Sequence, residues 1–155
     1  MRSLEEPILE AVRKSGDKAL LAYARQFDNF TGKTVRVKPA DLVFDALTFT
    51  LATGDTEFVD SAKETIEGIR LIESALPGVM TSLGVSNLSF GFAPQARPAL
   101  NSVMLYHCVQ AGLDLAIVNA EKLERYASIP EVERQLAEDL LWNRGADPIA
   151  AFAAH

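Results

Sequence analysis

"VMTSLGVSN", residues 79–87, decides how the rest of the chain is read. It enters as an apolar run through Val79, Met80, Leu83 and Val85, then ends on Ser86 and Asn87. Leu88 and Phe90 resume the apolar run and Gly91 stops it. A buried strand that ends on an amide side chain points to a use for that amide at the strand end. Two other segments share the pattern. "DLVFDALTF", 41–49, is apolar around Asp45, and "LDLAIVN", 113–119, closes on Asn119. Near-continuous apolar runs of this length predict strands buried on both faces of a parallel sheet.

The segments between them carry helical periodicity. Thr53–Asp55 offers a turn glycine and capping residues. A long amphipathic helix to about Leu76 then turns Phe58, Ala62, Ile66, Ile69, Ile72 and Leu76 inward. Residues 95–111 predict a second helix, with Leu100, Val103, Met104 and His107, ended by Gly112. Pro130 opens a third, with Val132, Leu136, Leu140 and Leu141 inward. The tail "RGADPIAAFAAH" is small and loosely patterned. Strand–helix alternation of this kind predicts an α/β fold with right-handed crossovers. Three βα units give either a partial (β/α) barrel or an open parallel sheet. Ligands in such folds sit at the carboxyl ends of the strands, where Asp45, Asn87 and Asn119 fall.

Residues 1–40 have a different rhythm. Ser3 and Glu6 suit a capping box for a helix over 3–15. Gly16 can end that helix and Asp17 can cap a second, running to about Phe27. "DNFTGKT" reads as a turn and "TVRVK", 34–38, as a short strand. The expected organisation is a helical hairpin plus strand over 1–40 and a partial barrel over 41–155, folded as one unit.

Composition narrows the function. The 155 residues carry a formal net charge of −6, which argues against nucleic acid and anionic membrane as partners. Cys108 is the only cysteine, so neither a disulfide framework nor a Cys-rich metal site is expected. The N-terminus lacks an apolar leader, and no run is long enough to span a bilayer. These features predict a cytoplasmic protein. There is no Gly-rich phosphate loop, nucleophile elbow or zinc signature.

Asp45 can offer two acceptor oxygens to a planar N–H edge. Asn87 offers a donor and an acceptor, so it can follow a ligand nitrogen through a change of protonation, with Ser86 as a support. The competing reading is that these residues cap helices or satisfy loop backbone. His107 beside Cys108 invites a metal or nucleophile reading. Adjacent helical positions diverge, however, so a packed helix face is the plainer expectation. Glu131, Glu133, Glu138 and Asp139 read as a solvated helix face.

"LVFDALTFTLATGD", "ETIEGIRLIESALPGVMTSLGVSNLSFG", "LNSVMLYHCVQAGLDLAIVN" and "YASIPEVERQLAEDLLWNR" together resemble a known family. Over residues 41–143 the chain is similar to the C-terminal part of the methyltetrahydrofolate-binding barrel of cobalamin-dependent methionine synthase. The resemblance implies the last three strands of a (β/α)₈ barrel that presents an N5-methyl group to cob(I)alamin. It implies that Asp45 binds the pterin, that Asn87 hydrogen-bonds near N5, and that Ser86 and Asn119 complete the pterin contacts. N5 must gain a proton as the methyl group leaves, and a swivelling amide can track that change.

Residues 4–38, through Gly16–Asp17, Ala19–Leu20, Tyr23 and Phe27–Asp28, resemble the N-terminal helical region of histidinol dehydrogenase. That region carries none of the latter family's catalytic or zinc-binding residues. Two resemblances meeting near Lys38–Asp41 imply a chimera, natural or engineered. Such a chimera would be a structural domain without turnover, keeping Asn87 and Asp45 as a vestigial site. It would require no cofactor, bind tetrahydrofolate weakly, lack the cobalamin module, and pair its exposed strand edges as a homodimer. The alternative is a methyltetrahydrofolate-binding methyltransferase module.

Overall fold

The computed structural model describes residues 5–155, so Ser3, and with it the capping box expected between Ser3 and Glu6, lies outside the described residues. The residues fall into two units, one ending at Lys38 and one running from Pro39 to His155.

In the first unit, α1 (Glu5–Ser15) and α2 (Asp17–Phe27) pack as a helical hairpin. Gly16 joins them at φ 52°, a left-handed conformation that glycine adopts without a Cβ penalty. It is Gly16, not Asp17, that holds the N-cap position of α2. Asp17 lies in the first helical turn and accepts a 2.6 Å bond from Arg36 Nε. Tyr23 and Phe27 stack one turn apart, with ring centroids 6.0 Å apart.

The strand expected at 34–38 does not form. Alternating β-branched residues favour extended backbone, but a strand exists only when a ladder partner satisfies its N–H and C=O groups. Here the Arg36 N–H donates to Thr34 Oγ1 at 3.1 Å, a local turn contact in place of a ladder.

The second unit contains β1 (Val43–Asp45), α3 (Ser61–Ala75), β2 (Met80–Leu83), α4 (Arg97–Ala111), β3 (Leu115–Ala116), α5 (Glu131–Leu141) and α6 (Pro148–Ala153). The strands form one open sheet in the order β1-β2-β3, parallel throughout. Asp45 stands level with Ser82, and Leu83 with Ala116. These are the three βα units expected from the sequence.

The strands are shorter than the apolar runs. β1 ends where the Leu47 N–H turns back to Asp45 Oδ1 at 2.9 Å, with Leu47 at φ 52°. β2 ends at Leu83, and through Gly84 the chain passes into a 3-10 helix, Val85–Ser89.

Burial on both faces is not realised. Thr81 and Leu83 of β2 are fully buried, whereas Met80 and Ser82, pointing the other way, are half-buried. β1 and β3 are exposed along their whole length. Phe44, Leu47, Phe49 and Ile117 lie among the exposed large apolar residues. An apolar run buries both faces only when both are covered, and helix cover reaches one face of β2.

The core lies among the helices. Ile66 and Ile69 of α3, Leu100, Val103 and Met104 of α4, Leu140 and Leu141 of α5, and Phe152 of α6 are all buried. Val132 is 63% exposed, against expectation. At 3.6 residues per turn it points roughly 135° away from the mean direction of Ala137, Leu140 and Leu141. Leu76 is also exposed, since it stands at the C-cap of α3.

The loosely patterned tail forms α6. Asp147 Oδ1 accepts from Ala150 N–H at 2.9 Å, and Pro148 opens the helix. Phe152 then meets Phe92 edge-to-face, with centroids 5.3 Å apart.

At the amino end of the sheet, Thr81 N–H donates to Asp114 Oδ2 at 2.8 Å. Asp114→Ala removes that acceptor from a part-buried amide. It is expected to lower stability by about 1–2 kcal/mol, measured by urea denaturation.

Candidate functional site

The parallel order brings the carboxyl ends of β1, β2 and β3 to one edge of the sheet. Asp45 is the last residue of β1. Asn87 lies four residues beyond the end of β2, in the 3-10 helix, and Asn119 three residues beyond the end of β3.

Asp45 is exposed, and Oδ1 is engaged by Leu47 N–H. Oδ2 has no hydrogen-bond partner among the described residues. Leu47 holds a positive φ of 52° there, a costly conformation for a leucine that is stored preferentially at functional positions.

Asn87 is fixed through its backbone. Its N–H donates to Gly84 O at 3.1 Å and its carbonyl accepts from Phe90 N–H at 3.3 Å. Its side-chain amide makes no hydrogen bond to another described residue. The amide lies over Gly84, where an added Cβ would stand 3.0 Å from Asn87 Nδ2. The glycine therefore leaves the space the amide occupies.

Ser86 does not support Asn87 through its hydroxyl. Its carbonyl instead accepts from Ser89 Oγ at 3.2 Å and from Arg97 Nη2 at 3.4 Å. Asn119 Oδ1 accepts from Glu121 N–H at 3.2 Å, so Asn119 caps the 3-10 turn Ala120–Lys122, and its Nδ2 makes no hydrogen bond to another described residue. Ser86 and Asn119 line a common cleft; Asp45 and Asn87 are not among its lining residues.

Sequence reasoning missed a half-buried carboxylate. Glu138 is not on a solvated face: its side chain is 14% exposed. Oε1 is 2.7 Å from His107 Nε2 and accepts from Tyr126 OH at 2.8 Å, and Oε2 accepts from Trp142 Nε1 at 3.0 Å. Burial pushes the Glu138 pKa up, but the bonds from His107, Tyr126 and Trp142 outweigh it, and the net shift is downward. Burial and the Glu138 bond push the Tyr126 phenol up to about 12. The available signal was the heterogeneity of the helix: Trp142 follows Glu138 by one turn, a spacing that places the two side chains together.

Cys108 is fully buried, and burial pushes its thiol up to about 12. A thiolate nucleophile is therefore absent at neutral pH, and His107 faces Glu138. Among the described residues no group of three or more His, Cys, Asp and Glu is placed to hold a metal ion. Nor is any helix there long and apolar enough to cross a membrane.

The profile of the family described as "Pterin binding enzyme" matches residues 10–119. The methionine synthase of Mycobacterium leprae (strain TN) is 47% identical over 116 residues, covering 73% of this chain and 10% of that protein. The methionine synthase of Mycobacterium tuberculosis (strain ATCC 25618 / H37Rv) is 42% identical over 135 residues, covering 87% of this chain and 11% of that protein. The chain thus spans about a tenth of the length of these curated relatives. The family match runs through Lys38–Asp41 without a break in its stated range, where a join between two parents was expected. The chimera has no support in these matches, and the methionine-synthase-like alternative fits them better. With its polar strand ends on a parallel α/β sheet, the chain belongs to the pterin binding enzyme family.

Proposed function

We propose that this chain supplies part of the methyltetrahydrofolate-binding barrel of a methionine-synthase-like methyltransferase. The observation that carries the reading is the sheet edge where Asp45 ends β1 and Asn87 stands in the turn just beyond the neighbouring β2, both with uncommitted polar atoms. Asp45 Oδ2 accepts from the N–H edge of the pterin. The Asn87 amide, which lies over Gly84 and makes no hydrogen bond to another described residue, donates to or accepts from N5 as its protonation changes, so the developing charge at N5 is met without moving the backbone. The bound folate supplies the methyl group; the acceptor and the rest of the pocket belong to other parts of such an enzyme. A cytoplasmic setting agrees with the single, buried, reduced thiol.

Titration calorimetry with 5-methyltetrahydrofolate tests the reading. Saturable binding that weakens severalfold in Asn87→Ala supports it. Absence of binding at millimolar ligand, or binding indifferent to Asn87, overturns it.

The exposed apolar face and unpaired edge of β1, with Phe44, Leu47 and Phe49, also favour pairing with a second copy of the chain, since an unpaired edge recruits another strand. Light scattering at micromolar concentration is expected to give twice the chain mass of 16.9 kDa. A mass of one chain, unchanged on dilution, counts against pairing.

A further inference from the structure

Gly84 stands between β2 and the 3-10 turn that carries Asn87. We propose that it is a positioning residue for the N5 contact: its missing Cβ gives the Asn87 carboxamide a seat in the pose that meets the ligand. The proposal rests on the methyltetrahydrofolate reading above and adds to it the residue that aims the amide.

The backbone does not require a glycine at this position. Gly84 has φ −78° and ψ 76°, the inverse γ-turn region, which any L residue enters. Gly16 and Gly112, by contrast, hold positive φ. The reason for a glycine at 84 is therefore space. A Cβ built there would stand 3.0 Å from Asn87 Nδ2 and 3.7 Å from Asn87 Cγ. Apart from its chain neighbours, no other described heavy atom lies within 4 Å of that point. The space belongs to the amide and to nothing else.

The seat is rigid. The Leu83 carbonyl, just before it, accepts from Ile117 N–H at 2.9 Å, and Gly84 O accepts from Asn87 N–H at 3.1 Å. The carbonyl of Asn87 accepts from Phe90 N–H at 3.3 Å, so the backbone of this residue is tied on both sides. Only its side-chain torsions remain, and the contact with Gly84 limits them.

Packing serves here where a hydrogen bond would not. A bond from a protein group would also fix the amide, but it would consume the donor or acceptor that the ligand needs. Asn119 spends its Oδ1 on Glu121 N–H in this way. Contact with bare backbone holds the Asn87 amide and leaves both of its polar atoms open. A group held in place before binding gives up little freedom when the ligand arrives. An alanine at 84 would push the amide outward by a few tenths of an ångström.

A double-mutant cycle on the full chain, read by calorimetry with 5-methyltetrahydrofolate, tests the assignment. Gly84→Ala is expected to raise the Kd by about threefold, in keeping with the cost of small positioning errors, and by no more than Asn87→Ala does. In the Asn87→Ala background the same change is expected to leave the Kd unmoved, because no amide remains to be displaced. A glycine that merely stabilised the strand end would weaken binding equally in both backgrounds. Gly68→Ala, in α3 with open space around its Cβ position, is expected to bind as the wild type does and controls for a general effect of replacing glycine. Urea denaturation follows folding in each variant. Unchanged or tighter binding in Gly84→Ala, a loss that persists without the amide, or failure of Gly84→Ala to fold overturns the positioning role while the pterin reading stands. Binding indifferent to Asn87→Ala, or no binding at all, overturns the pterin reading and the positioning role with it.

Discussion

Glu138→Ala is expected to lower stability by about 3–4 kcal/mol, measured by urea denaturation. The substitution strands three donors at once: the His107 ring N–H, the Tyr126 hydroxyl and the Trp142 indole N–H. Each of these half-buried donors, left unmet, costs toward the lower end of about 1–3 kcal/mol, and coupled losses in one network are not additive. Local repacking and water entry hold the sum below the simple total. Glu138→Gln keeps an acceptor of the same shape but loses the charge assistance, so a smaller loss of about 1 kcal/mol is expected.

The pH dependence separates the two effects. The folded-state pKa of Glu138 lies below its ordinary value of 4.5. The stability that ionisation contributes is therefore fully present above the ordinary value and is lost as the pH falls through the folded one. The difference between wild type and Glu138→Gln should be constant near neutrality and shrink in acid. A difference that grew below pH 4 would show that the carboxylate is not held ionised by this network.

Asp45→Asn is expected to weaken 5-methyltetrahydrofolate binding by about a hundredfold. Bonds from N–H donors to a carboxylate contribute about 1.5–3 kcal/mol each. The substitution retains one carbonyl acceptor, but its NH₂ faces a ligand donor if the oxygen keeps its bond to Leu47 N–H. The loss therefore includes a mismatched pair as well as a missing charge. Because Asp45 is exposed, folding should be nearly unaffected, and urea denaturation of the variant provides the control. Titration calorimetry reads the affinity; equal affinities in the two proteins would remove Asp45 from the site.

The sequence by itself determined the class of fold and the strand ends. Apolar runs alternating with helical periodicity specify βα units, because the two periods cannot be exchanged. The alternation of strand and helix, the helices α3, α4 and α5, and the positions of Asp45, Asn87 and Asn119 near the strand ends follow from that local code, whereas the order β1-β2-β3 is a matter of which strands pair. The Gly112 helix stop is equally local: it adopts φ 108°, where a side chain is disfavoured.

Only the tertiary structure decided what depends on a neighbour. "TVRVK" is β-rich yet forms no strand, since a ladder needs a partner that its own residues cannot specify. "LVFDALTF" and "LAIVN" are apolar yet exposed, because composition records suitability for burial and not the presence of a covering layer. Glu138 reads as one acid among several in "PEVERQLAEDLL". It became a half-buried acceptor because α4 and the turn at Tyr126–Ser128 bring His107 and Tyr126, 31 and 12 residues away in sequence, onto its Oε1, while its helix neighbour Trp142 bonds Oε2. The cleft that Ser86 and Asn119 line arose in the same way. Arg97, Asn101 and Lys122 carry no shared motif, and the packing of α4 against the strand ends brings them to one wall. Contacts across such sequence separations are set by the assembled fold, which is why the strand-end residues were legible and the cleft beside them was not.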